Sequence, residues 1–301
     1  MQRMIVLILF ELKKILTRKK ALLFLIALNV IPLVASIALI IAYLKFKSFG
    51  FGEVQFSMLY EIVQALFTGH IKLFSYIAPF FLALVVGDSF STEFNKGYMK
   101  MLLITPVRRW QVISAKTIAV MLFLLLAVTI GGIFLQADLF VARAITQNSG
   151  AIPQQMLPDS LGNLDKPTHL VSSLAALQLL FMTFAGNLML VGFFILFSLF
   201  FESAIIMSFT SLSVLMGLHT FYIIASNFLG KIDVWYTDLA AWVFSRHLSD
   251  LFSVSRIEGI LEGKLSLFSS EVLSTLGSSF GWAALFYLLA LAVFSRKQIL
   301  H

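Results

Sequence analysis

GDSFSTEFNKGYMKMLLITPVRRWQVISAK, residues 87–116, is a long polar interruption between two apolar runs. It carries five cations (Lys96, Lys100, Arg108, Arg109, Lys116) and two carboxylates (Asp88, Glu93). Between them stand apolar side chains: Phe94, Tyr98, Met99, Met101, Leu102 and Trp110. In a chain that is 59% hydrophobic and 12% charged, such a stretch belongs where it meets water or something dissolved in it. Thr105 followed by Pro106 reads as an N-cap and first helical residue, so one short helix ends near Ile104 and another begins at Pro106. The layout is a membrane helix running out into a short surface helix over about 93–104, a break, and a return into the next span. Its mixed basic and apolar surface is one that a soluble partner can grip.

Working outward, a spanning helix needs roughly 20 mostly apolar residues, and the chain supplies six such runs. They are Ala21–Leu44, Ile71–Ser89, Thr117–Ala137, Ser173–Phe200, Ser203–Phe228 and Ser278–Phe294. Pro32 and Pro79 are expected to kink the first two, and Gly131-Gly132 to loosen the third. The predicted fold is all-α: a polytopic membrane protein with six spans, both termini cytoplasmic, and an N-terminal interfacial helix over 1–20. That helix ends in Lys13, Lys14, Arg18, Lys19 and Lys20, bases suited to anionic lipid headgroups. No cleavable leader is read, because the apolar Met1–Phe10 runs straight into the charged Glu11–Lys20. Residues 21–301 form one six-span domain, with outer excursions at 45–70, 138–172 and 229–277. The last of these, rich in Trp235, Tyr236, Trp242, Phe244 and Phe252, predicts one or two short helices at the outer interface with aromatics at headgroup depth.

Charge counts orient the chain. With both termini inside, the inner segments hold 13 of the 22 Lys/Arg and 4 of the 15 Asp/Glu. That asymmetry follows the positive-inside bias and accounts for the net charge of +7 without nucleic acid. Catalytic signals are missing. There is no GxxxxGK[ST] phosphate loop, no HExxH, and no cysteine. The five histidines are scattered, and no acidic pair falls inside a predicted span, which disfavours a metal site and a proton relay. No enzyme and no chain-borne cofactor is expected. Polar residues within the spans (Asn29, Gln136, Gln178, Thr183, Asn187, Thr210, His219) should face other helices or a cavity. Interhelical hydrogen bonding is the plain account; Asn187, His219 and Asn29 are the candidates for lining a pathway.

The 87–116 stretch resembles the permease subunits of ABC-2 type transporters. In those chains a Glu near the inner end of span 2 is followed by a Gly, an LL-x-x-P-x-x-R run and a Lys. Here these are Glu93, Gly97, Leu102-Leu103, Thr105-Pro106, Arg109 and Lys116. The opening Phe10-Glu11-Leu12-Lys13-Lys14 to Arg18-Lys19-Lys20 is similar to the family's connecting helix. The resemblance implies a transmembrane half-transporter in the cell membrane. It would dock through a coupling helix at 93–104 on a separate cytoplasmic ABC ATPase that carries ATP and Mg, and associate with a second permease subunit. Glu93, Lys96, Tyr98, Met99, Lys100, Leu102, Arg108 and Arg109 are then the coupling candidates. Export of a lipid-like, peptidic or amphipathic cargo is expected. The alternative is a membrane scaffold that passes ATPase strokes to an extracytoplasmic partner without moving cargo.

Overall fold

The computed structural model describes residues 2–48, 55–95, 108–148, 173–228, 235–236, 243–261, 265–266 and 268–296. Those residues are helical apart from short connections. α1 (Gln2–Leu16) meets α2 (Lys19–Ser48) at an elbow of two residues, followed by α3 (Gln55–Ser89) and the single-turn α4 (Ser91–Asn95). Then come α5 (Arg109–Asn148), α6 (Ser173–Ser198), α7 (Ala204–Asn227), the short α8 (Phe244–Leu251) and α9 (Val254–Leu261), and α10 (Ser270–Arg296). Among the described residues five stretches are long and apolar enough to cross a membrane: Phe74–Glu93, Arg109–Phe134, Leu177–Ser198, Ala204–Asn227 and Ser270–Arg296. They match expected spans two to six. The first expected span lies within α2, a continuous helix of 30 residues.

The helices are longer than their apolar runs suggest. The amphipathic stretch 56–67 is no separate element; it continues without a break into the span as α3, and the helix persists through Pro79. α5 begins at Arg109, three residues after the expected start at Pro106. There the Gln111 side chain accepts from the Arg108 backbone N–H at 2.9 Å, the backward half of a capping box. Thr105 and Pro106 lie outside the described residues.

α6 is the hub, packed against α10, α3, α5 and α7 and sealed from solvent along most of its length. Polar groups do little to bind the spans to one another. Asn29, Thr117, Thr183, Asn187 and Ser208 each donate to the carbonyl four residues back in their own helix, at 2.6–2.8 Å. This replaces the interhelical bonding expected for Asn29, Thr183 and Asn187, since a local acceptor is always within reach. Cohesion comes instead from shape. A Cβ on Gly192 would sit 3.0 Å from the Ala283 carbonyl of α10 and 3.2 Å from Phe286 Cβ. At Gly132 it would strike Leu180 Cδ1 at 2.5 Å, so the glycine pair expected to loosen span three also permits a close α5–α6 crossing.

Within 243–261, Phe244, Leu251 and Phe252 sit deeper than an interfacial position. The Phe244 ring lies 5.0 Å from Phe193 of α6 and 5.2 Å from Phe286 of α10. Phe286 is 16 residues into α10, roughly 24 Å along it. Leu251 and Phe252 press on Gly186, at the middle of α6, where an added Cβ would meet Leu251 Cδ2 at 2.7 Å. The aromatics expected at headgroup depth are therefore divided: Trp235 is exposed, whereas Phe244 and Phe252 are core.

Gly192→Leu is expected to push α10 off α6 and to destabilise the fold by about 1–3 kcal/mol. Gly217→Leu on α7, where nothing lies within 4 Å of the added Cβ, should leave thermal unfolding of the purified protein unchanged.

Candidate functional site

At the end of the bundle that carries α1 and α4, Lys116 is buried in α5 with 1% of its side chain exposed. It stands seven residues into the helix, roughly 10 Å from its start. An ammonium there is tolerable only if it is paired and hydrogen-bonded. Its Nζ lies 2.8 Å from Glu11 Oε2 of α1 and 2.6 Å from Glu93 Oε2 of α4. It also donates to the Ser89 carbonyl at 3.2 Å, where α3 gives way to α4, and sits over the Phe90 ring.

The second oxygen of Glu93 carries the cluster outward. Arg18, in the α1–α2 elbow, reaches Oε1 at 2.8 Å, and Lys14 of α1 reaches the same atom at 2.5 Å. Beside them Lys20 of α2 pairs with Asp88 of α3 at 2.8 Å. Buried Ser91 donates to the Ser198 carbonyl at 3.1 Å, which ties α4 to the end of α6. One lysine and two carboxylates are thus buried together, and Lys14 and Arg18 at a half-exposed rim bring the cluster to three cations against two carboxylates.

Local sequence explains the arrangement. Glu11 shares one face of α1 with the buried Ile15, and Lys116 shares one face of α5 with Val112, Ile113, Ala119, Val120 and Phe123. Both charges interrupt apolar faces, and that is the signal by which the sequence could have exposed them. Neither was a coupling candidate. The outward face of α1 is apolar (Ile5, Val6, Leu9, Phe10), the pattern of a helix lying in a membrane interface.

Of the coupling candidates, Glu93 is 4% exposed and turned inward to Lys116, Lys14 and Arg18. Arg108 is exposed. Arg109 donates to the Ser295 carbonyl at 3.3 Å, capping the last turn of α10. Lys96, Tyr98, Met99, Lys100 and Leu102 lie outside the described residues. The pathway candidates are not brought together by any contact among themselves. Asn29 and Asn187 are buried, and the Oδ1 of each has no hydrogen-bond partner. His219 is half-buried on α7 beside the Tyr222 ring. Among the described residues no three of His, Asp or Glu converge as metal ligands.

A family model described as "ABC-2 family transporter protein" matches residues 7–162, just over half the chain. The chain belongs to the ABC-2 transporter family. The match takes in every residue of the charged cluster from Glu11 to Lys116 and stops short of α6. No curated protein matches the sequence. As a member of this family the chain is a multi-pass protein of the cell membrane and a component of membrane transport.

Lys116→Met strands the buried carboxylate of Glu11 and the Oε2 side of Glu93, whose Oε1 keeps Lys14 and Arg18, and should destabilise the protein by about 3–5 kcal/mol. Adding Glu11→Gln removes one of those stranded charges, so the double variant should regain part of the loss. A double-mutant cycle on thermal unfolding is expected to give a coupling of about 1 kcal/mol or more between the two positions.

Proposed function

We propose that this ABC-2 family chain is a six-span permease subunit of an ATP-driven exporter, with α2 as its first span and both termini cytoplasmic. The energy comes from a separate cytoplasmic ABC ATPase that binds ATP and Mg and pushes on residues 93–104. The observation that carries this reading is the buried joint of Lys116 with Glu11 and Glu93. It fastens α1, the α3–α4 corner and the base of α5 to one another immediately beside that segment.

In this reading Lys96, Tyr98, Met99, Lys100 and Leu102 meet the ATPase, flanked by Arg108. Glu93 acts from within, transmitting displacement of the segment to Lys116 and hence to α5. Arg109, bonded at the end of α10, extends the same push to the last span. A linked set of helices with two arrangements is what a partner needs in order to bias access. Asn29 and Asn187 stand ten and eleven residues from the charged ends of α2 and α6, at similar depth, each with an unpaired carbonyl oxygen. These acceptors, with His219, suit a path for an amphipathic cargo with hydrogen-bond donors. The exposed apolar faces of α2, α7 and α10 face lipid and a second permease subunit, identical or related.

The test is co-purification with an ABC ATPase followed by reconstitution. Lys100→Glu combined with Met99→Asp is expected to abolish transport-coupled ATP hydrolysis while the permease still folds and inserts. Unchanged coupled hydrolysis in that double variant would remove 93–104 from the drive train. Hydrolysis coupled to no transported substrate would point instead to the scaffold alternative.

A further inference from the structure

Far from the charged joint, the first turns of α10 hold a second buried cation. Arg256 of α9 is 8% exposed. Its Nη1 donates to Thr275 Oγ1 at 3.0 Å, and its Nη2 approaches Glu271 Oε1 at 3.4 Å. Its Nε is buried and has no hydrogen-bond partner. The guanidinium therefore uses one edge on Thr275 and leaves the Nε–Nη2 edge almost unspent. That edge is the planar fork that takes two oxygens of one anion. The carboxylate paired with it, Glu271, has a side chain 66% exposed.

Depth narrows the ligand. Thr275 is five residues into α10, roughly 8 Å inside its end, which is the level of lipid headgroups rather than of acyl chains. One turn further along α10, Ser278 hydrogen-bonds His247 Nδ1 at 3.0 Å. A buried guanidinium at headgroup depth whose Nε is unbonded and whose Nη2 has only a long contact to an exposed carboxylate suits a phosphate group. We infer that Arg256 binds the phosphate of an anionic amphiphile at the end of the bundle opposite the charged joint, Glu271 swinging aside as it enters. The site lies outside the residues that match the family, and it does not depend on the exporter reading.

The experiment is thermal unfolding of the full-length purified chain in neutral detergent, titrated with phosphatidylglycerol, phosphatidylcholine or inorganic phosphate. Phosphatidylglycerol also meets the lysines of α1, so the readout is the difference between variants. Wild type should be stabilised by phosphatidylglycerol and not by phosphatidylcholine. A matching shift with inorganic phosphate would make the bare phosphate the ligand; a shift with phosphatidylglycerol alone would make it the lipid headgroup. Arg256→Gln should raise the half-saturating concentration at least about tenfold, the loss expected for a charge-assisted hydrogen-bonded pair. Glu271→Gln removes the competitor and should lower that concentration by roughly two- to fivefold. If Arg256 were only a strut to Glu271, the second variant would weaken the fold and leave the lipid dependence unchanged. That result, or a wild-type response in Arg256→Gln, overturns the proposal. Should Arg256→Gln fail to fold, Glu271→Gln decides alone.

Discussion

A lysine ammonium inside a membrane bundle cannot be left to itself, and the charged end of this protein is arranged to meet that need. Removing an ion from water costs several kcal/mol even after relaxation, and attraction to buried carboxylates roughly offsets it. The joint of Lys116, Glu11 and Glu93 therefore adds little to net stability. What it does is penalise separation. Any displacement that draws one partner away strands a buried charge, whereas displacement of all three together disturbs nothing. α1, the α3–α4 corner and the foot of α5 are consequently held in a fixed mutual relation, with Arg18 and Lys14 closing the set from the elbow.

The remainder of the bundle is held on a different principle. Most of its buried hydroxyls and amides are occupied by carbonyls of their own helices, and among the described residues few polar bonds run from span to span, Ser114 of α5 with Tyr287 of α10 at 2.7 Å being one. Close crossings at Gly192 and Gly132 and the ring cluster of Phe193, Phe244, Trp282 and Phe286 do the joining. Dispersion contacts of this kind are many and individually small, so helices can slide or tilt with gradual loss. A charge-locked end and a shape-packed body give one rigid handle on a body able to rearrange.

Much of this was legible in the sequence, because apolar run length and Lys/Arg bias report how a segment partitions. Spans two to six follow from apolar run length. What escaped was pairing. Glu11 and Lys116 are 105 residues apart, and counting charges by segment assigns each of them to a solvated face. Glu93 was visible as a charge beside a coupling stretch, but whether it points to a partner or to Lys116 is decided by helix rotation, which composition does not encode. The depth of Phe244 was hidden for a similar reason. An aromatic-rich loop has the same composition whether it rests at headgroup level or descends between two spans.

The two polar devices also differ in where the family match falls. The charged joint lies wholly within residues 7–162, the part of the chain that matches the family model. His247 and Arg256 lie beyond it on the short helices α8 and α9 packed against α6, and Glu271 and Thr275 on the first turns of α10. The difference is physical: removing one member of the joint strands a buried charge among the rest, whereas Arg256 shares its guanidinium with a hydroxyl and an exposed carboxylate and keeps an unbonded Nε, so a substitution there disturbs a smaller network.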